Sequence, residues 1–95
     1  MVIRFDRETV PYEQALFQAA TQTLGQLPNA SFDVVGVAPG VGTPGQVALN
    51  SDRARTSANK VMRSLLQMGM PANRVTVSQV TDPVVQTNEV QVYVR

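Results

Sequence analysis

The 95-residue chain contains neither cysteine nor histidine. Disulfide scaffolds, Cys/His zinc sites, thiol nucleophiles and His-based acid–base pairs are thereby excluded together. An excess of one charge is also lacking: eight basic residues stand against seven acidic ones, for a net charge of +1. No surplus exists to neutralise a run of phosphates, which argues against a nucleic-acid role. No apolar run approaches the ~20 residues needed to span a bilayer, and the start shows no charged n-region followed by an apolar h-region of a signal peptide. What is present is a 43% hydrophobic, 16% charged composition, rich enough to fold and sized for one domain. The expectation is a small domain without metal or cofactor, and not an enzyme.

Both ends of the chain alternate like strands: Val2-Ile3-Arg4-Phe5 at the start and Val90-Gln91-Val92-Tyr93-Val94-Arg95 at the finish. A chain that begins and ends inside structural elements reads as one domain, residues 1–95, cut from a longer protein.

Between the ends the spacing predicts strand one over Val2 to Phe5, a turn from Asp6 to Pro11, and a helix from Tyr12 to Gln26. Leu16, Ala19, Ala20, Thr23, Leu24 and Leu27 form its apolar stripe, widened by Phe17, with Gln14, Gln18 and Gln22 on the solvated side. The β-branched run in Ser31 to Val37 predicts a central strand, in which Gly36 signals a bulge or a close backbone approach. A Gly/Pro loop is expected from Ala38 to Leu49. Asn50-Ser51-Asp52 then reads as a helix start, because side-chain oxygens accept the first free N–H groups and an acid suits the positive helix end. Helix two runs to Met68 with Ala54, Ala58, Val61, Leu65 and Met68 in one stripe, and Gly69 and Pro71 stop it. Arg74 to Val80 is strand three, Thr81 to Asn88 a loop, and Glu89 to Arg95 strand four. The fold class is α+β: a two-layer sandwich in the order β-α-β-α-β-β, with two helices on one face of a four-stranded mixed sheet. Right-handed crossovers make the first three strands candidates for parallel pairing, and the short last loop favours a final antiparallel hairpin. That Val-rich strand pair either offers an edge to a neighbouring chain or is covered by its own sheet.

Three constellations bear on chemistry. Gly40-Val41-Gly42-Thr43-Pro44-Gly45 is formally G-x-G-x-x-G after a strand. Pro44 deletes a donor, the expected helix starts about five residues later, and no acid closes the following unit, so the segment reads as a flexible loop. The acids Asp6, Glu8, Glu13, Asp33, Asp52, Asp82 and Glu89 are dispersed and show no paired spacing, leaving no catalytic assignment. The positive charge is almost all arginine, a planar fork suited to carboxylates. Arg53 and Arg55 fall at the expected start of helix two, where a cation opposes the helix dipole. Either Asp52 and solvent tolerate them, or they hold a small anion between the loop and the helix.

That arrangement resembles the OmpA-like domain, the C-terminal module of OmpA, Pal and MotB-type envelope proteins. Ile3-Arg4-Phe5-Asp6 is similar to the family's first strand with its trailing Asp, and Phe32 to Val37 to its second. Leu49-Asn50-Ser51-Asp52-Arg53-Ala54 is similar to the family's Leu-Ser-x-x-Arg-Ala, although Asn50 also matches the Asn that precedes that motif. Gly69-Met70-Pro71-Ala72-Asn73-Arg74-Val75 follows the family's pattern after the helix, and Asn88 stands at its final Asn. In the family the Asp of a Thr-Asp pair grips the ammonium of peptidoglycan diaminopimelate, and the Arg of Leu-Ser-x-x-Arg-Ala grips its carboxylate. Here Ala38-Pro39 occupies the Thr-Asp position, and Glu89-Val90 replaces an Arg-Arg pair. Arg53 stands for the family's Arg only if helix two is about one turn longer; if Asn50 is aligned instead, Thr56 or Ser57 takes that place.

The resemblance implies a non-catalytic scaffold or interaction module of a bacterial cell-envelope protein, periplasmic and outer-membrane associated, whose peptidoglycan site is degenerate. Its partners would be other envelope proteins. The alternative is retained peptidoglycan binding by a rearranged site, with Arg53 or Arg55 on the carboxylate, Asp6 or Asp52 on the ammonium, and Asn50 beside them.

Overall fold

A computed structural model describes residues 1–5 and 10–95. The elements are β1 (Val2–Arg4), α1 (Glu13–Gln26), β2 (Phe32–Pro39), α2 (Pro44–Gln67), a short 3-10 turn (Ala72–Arg74), β3 (Val75–Asp82) and β4 (Glu89–Val94). They form the expected α+β arrangement of two helices and one mixed four-stranded sheet, in the order β1-β4-β2-β3.

The order corrects one expectation. Strands β2 and β3 pair in parallel, from Phe32 opposite Val75 to Pro39 opposite Asp82. Strand β4 makes no hairpin with β3. It inserts antiparallel between β1 and β2, with Val90 opposite both Ile3 and Gly36. The physical reason lies in side-chain content. Val90 and Val92 are buried in the core, so β4 belongs where both of its edges are paired. β3 carries the exposed residues Thr76, Ser78, Gln79 and Thr81 and takes the rim. Strand β1 is parallel to β2 in direction but separated from it by β4. The Val-rich C-terminal strand is therefore covered by its own sheet.

The core sits between the sheet and the two helices. Helix α2 contributes Ala54, Ala58, Val61 and Leu65, all fully buried, as the stripe requires. Helix α1 contributes Leu16 and Ala20, whereas Phe17 and Leu27 lie on the surface instead of widening the stripe. The Gln14, Gln18 and Gln22 row is exposed. The Tyr12 hydroxyl meets Ser64 Oγ at 3.0 Å and ties the start of α1 to α2. Its ring packs on Phe5 with centroids 5.7 Å apart.

Helix α2 starts six residues before the expected Asn50. Thr43 is its N-cap: Gln46 N–H donates to Thr43 Oγ1 at 3.2 Å, and Gln46 Oε1 accepts from Thr43 N–H at 3.1 Å. This is a capping box with proline at the first helical position, where a missing N–H costs nothing. At the other end Gly69, at φ +98, adopts the left-handed conformation. Gly69 N–H donates to Leu66 O and Met70 N–H to Leu65 O, the paired bonds of a Schellman stop.

Gly36 has the role its position signalled. A Cβ there would lie 2.5 Å from the Ala54 carbonyl oxygen and 3.2 Å from Ala58 Cβ. Glycine in β2 and alanines in α2 together bring the helix backbone down onto the strand, which places the adjoining turns of α2 over the carboxyl end of β2.

Candidate functional site

The extra turns of α2 build a groove at that end of the sheet. Gln46, Leu49, Asn50 and Arg53 follow the i, i+3, i+4, i+7 spacing of one helix face, and all four line it. The opposite wall comes from Phe5 after β1, from Pro39 at the end of β2 and Val41 beyond it, and from Gln86, Thr87 and Asn88 before β4. The space enclosed is about 560 Å³. Its rim is held by a backbone bond from Phe5 N–H to Asn88 O at 2.8 Å. Asn88 Oδ1 is buried with no hydrogen-bond partner, the one such side-chain atom among the described residues. A buried acceptor left unmade costs about 1–3 kcal/mol.

The sequence-derived candidates separate into two groups. Asn50 and Arg53 come together on the groove wall, facing the segment that contains Pro39. Asp52 and Arg55 do not join them. Asp52 Oδ1 accepts from Arg55 Nη2 at 2.6 Å in an exposed i, i+3 pair, and neither residue lines the groove. Asp6 lies outside the described residues. Among the described residues no carboxylate lines the groove, and none forms an ion pair with Arg53.

Two expectations about charge are corrected by the early helix start. Asn50, Ser51 and Asp52 are interior residues of α2 rather than its cap, and Arg53 and Arg55 stand in its third and fourth turns rather than at its first. The helix dipole acts mainly within the terminal turn, so it does not oppose either arginine. The helix also begins inside Gly40–Gly45 instead of five residues after it. Even so, several of the N–H groups a phosphate would use are engaged: those of Thr43 and Gln46 in the capping box, and that of Val47 with Thr43 O at 2.9 Å. Pro44 has none.

Gln46, Gln86 and Thr87 are groove residues that the chain's spacing left unremarked. A signal for Gln46 was present, since Thr43-Pro44-Gly45-Gln46 fits the capping-box pattern. Gln86 and Thr87 reach the site only through the β3–β4 crossing, which has no local signature.

No family model matches the chain, and none of the curated proteins matches it in sequence. Solved structures do match it in fold. The C-terminal domain of Helicobacter pylori MotB superimposes with a TM-score of 0.69 at 17% identity, covering 100% of this chain and 84% of that one. The peptidoglycan-associated lipoprotein of Burkholderia pseudomallei gives a TM-score of 0.73 at 21% identity, covering 99% and 89%. The OmpA-like domain of FopA1 from Francisella tularensis gives 0.70 at 15% identity, covering 98% and 70%. With the helix pair on one face and β4 threaded between β1 and β2, this chain has the OmpA-like fold.

Proposed function

We propose that this chain is a non-catalytic interaction module of a bacterial cell-envelope protein, periplasmic in location, whose peptidoglycan site is degenerate. The observation that carries the reading is Pro39. It lines the same groove as Arg53, at the place where the resemblance to OmpA-like domains calls for an acid. A prolyl ring neither accepts from an ammonium nor supplies an N–H. Leaving an ammonium unpaired costs about 1–3 kcal/mol, and ~2.7 kcal/mol corresponds to a hundredfold loss of affinity. Its natural partners are then other envelope proteins. The fold similarity to a peptidoglycan-associated lipoprotein supports the envelope setting, and no helix among the described residues is long and apolar enough to cross a membrane.

A second reading is favoured by Asn88 and Arg53 together. An unpartnered buried carbonyl oxygen and a guanidinium line one groove, which suits a zwitterion held by a rearranged clamp.

Co-sedimentation with isolated sacculi, joined to an amide-shift titration with meso-diaminopimelate, tests both. The first reading expects no saturable binding by the wild-type chain and a gain of binding in Pro39→Asp. Saturable wild-type binding that Arg53→Ala abolishes and Arg55→Ala leaves intact overturns it and establishes the second.

A further inference from the structure

The two rims of the sheet are managed differently. β1 is three residues long, and the residues of its free side are Val2 and the charged Arg4. Short length and an edge charge are the usual protections against unwanted pairing. β3 is eight residues long, pairs only with β2 among the described residues, and carries no charge and no proline from Val75 to Thr81.

The direction of its free backbone groups follows from bonds at its two ends. Gly40 N–H donates to Asp82 O at 3.2 Å, so the backbone of Asp82 faces β2. Alternation along the strand turns Thr76, Ser78 and Val80 the wrong way for an outside partner: Ser78 and its even-numbered neighbours bond inward, while Val77, Gln79 and Thr81 present N–H and C=O outward. Val75 is outward as well, but its N–H is already taken by Ala72 O. Three consecutive outward residues are thus left as an unfilled ladder.

We propose that this edge is the interface of a two-fold homodimer, in which β3 pairs antiparallel with β3 of a second copy and the two four-stranded sheets become one continuous sheet. The chemistry selects the register. With Gln79 opposite Gln79 of the second copy, Val77 faces Thr81 and Thr81 faces Val77, so every outward residue is used and each of the three pairs exchanges two hydrogen bonds. A register shifted to centre on Ser78 would call on Val75 at both ends and leave two bonds unmade, one at each end. In the Gln79-centred register Asp82 lies opposite Thr76 of the second copy. There Arg95 is already in place: its Nη2 is 3.4 Å from Thr76 Oγ1 and its Nε 3.0 Å from Asp33 Oδ1. Each Asp82 carboxylate keeps acceptor capacity beyond its bond from Val84 N–H at 2.9 Å. At both ends of the interface an Asp82 carboxylate therefore meets a guanidinium, which it shares with the Asp33 carboxylate of the other copy. The strand is complementary to its own reverse, and this selects a second copy of the chain over an unrelated strand.

The absence of cysteine makes the register directly readable. Ser78 and Val80 of opposite copies form non-hydrogen-bonded pairs in this arrangement, with Cβ atoms ~4.5–5.5 Å apart. The chain carrying Ser78→Cys and Val80→Cys together is expected to form a disulfide-linked dimer under mild oxidation, whereas Ser78→Cys alone is not. Sedimentation equilibrium of the wild-type chain up to ~1 mM, where even a Kd of that size leaves a large dimer fraction, is expected to show monomer–dimer exchange. Gln79→Pro removes an outward N–H unused within one copy, and Gln79→Lys sets two ammonium groups face to face. Each is expected to abolish association, with circular dichroism reporting that the fold is kept, and the lysine variant decides if the proline one does not fold. A wild-type chain that stays monomeric throughout overturns the proposal. So does a dimer that survives Gln79→Lys, or one that cross-links through Ser78→Cys alone. Pairing of β3 with a strand of another protein, and not with itself, overturns it equally.

Discussion

The contact between Gly36 and α2 supports a quantitative expectation. Gly36→Ala adds one methyl group at a point 2.5 Å from the Ala54 carbonyl oxygen and 3.0 Å from its carbonyl carbon. Both atoms are backbone, held within the helix ladder, so no side-chain rotation relieves the overlap. The helix must lift off β2 by most of an ångström, loosening Ala54 and Ala58, which are fully buried. Overpacking of this kind costs typically 1–3 kcal/mol. For a domain of this size each kcal/mol moves Tm by ~4–8 °C, so a fall of roughly 10 °C is expected, with a lower urea midpoint at unchanged m-value. Because Arg53 adjoins Ala54, the same displacement moves the groove wall, and amide shifts at Asn50 and Arg53 are expected to exceed those in α1. A variant with wild-type Tm and wild-type groove amides would refute the close approach and the coupling of core to groove.

Leu65→Ala, which opens a cavity at one of the largest fully buried side chains, is expected to cost about 2–5 kcal/mol by urea denaturation, enough to unfold a marginal domain at 37 °C. Thr43→Ala removes the side-chain half of the capping box and is expected to cost about 1 kcal/mol. Faster hydrogen exchange should follow in the first turn of α2 alone; exchange spread evenly over the chain would contradict the early helix start.

Much of the fold was legible in the chain because it is written locally. The stripe Ala54, Ala58, Val61, Leu65 and the Gly69 stop each depend on residues within a few turns, and Gly36 marked the close approach. Strand order was not local. Whether β4 folds back on β3 or crosses to β1 depends on which face of which strand is wettest, a comparison between residues far apart in sequence. The start of α2 was mislaid for a different reason. Gly42, Pro44 and Gly45 carry strong turn propensity, and it masked a capping box whose two members are only three residues apart. The candidate site was half legible. Asn50 and Arg53 sit on the groove by helical spacing, but Asp52 and Arg55 fall on another face of the same helix and neutralise each other.

The position of β4 also sets an order of events as the chain emerges from its N-terminus. Among the described residues Ile3 has no partner in the sheet other than Val90, so β1 must wait, unzipped, for residues 89–94 to become available. The β2–α2–β3 crossover completes itself earlier, from residues closer together in the chain. A chain emerging N-terminus first and halted before residue 89 would hold that crossover, with Val34 under α2, while Ile3 still lacked its β4 partner. Such a half-made molecule is the one a chaperone would find, and its lifetime is set by how fast the rest of the chain emerges rather than by the strength of the finished core.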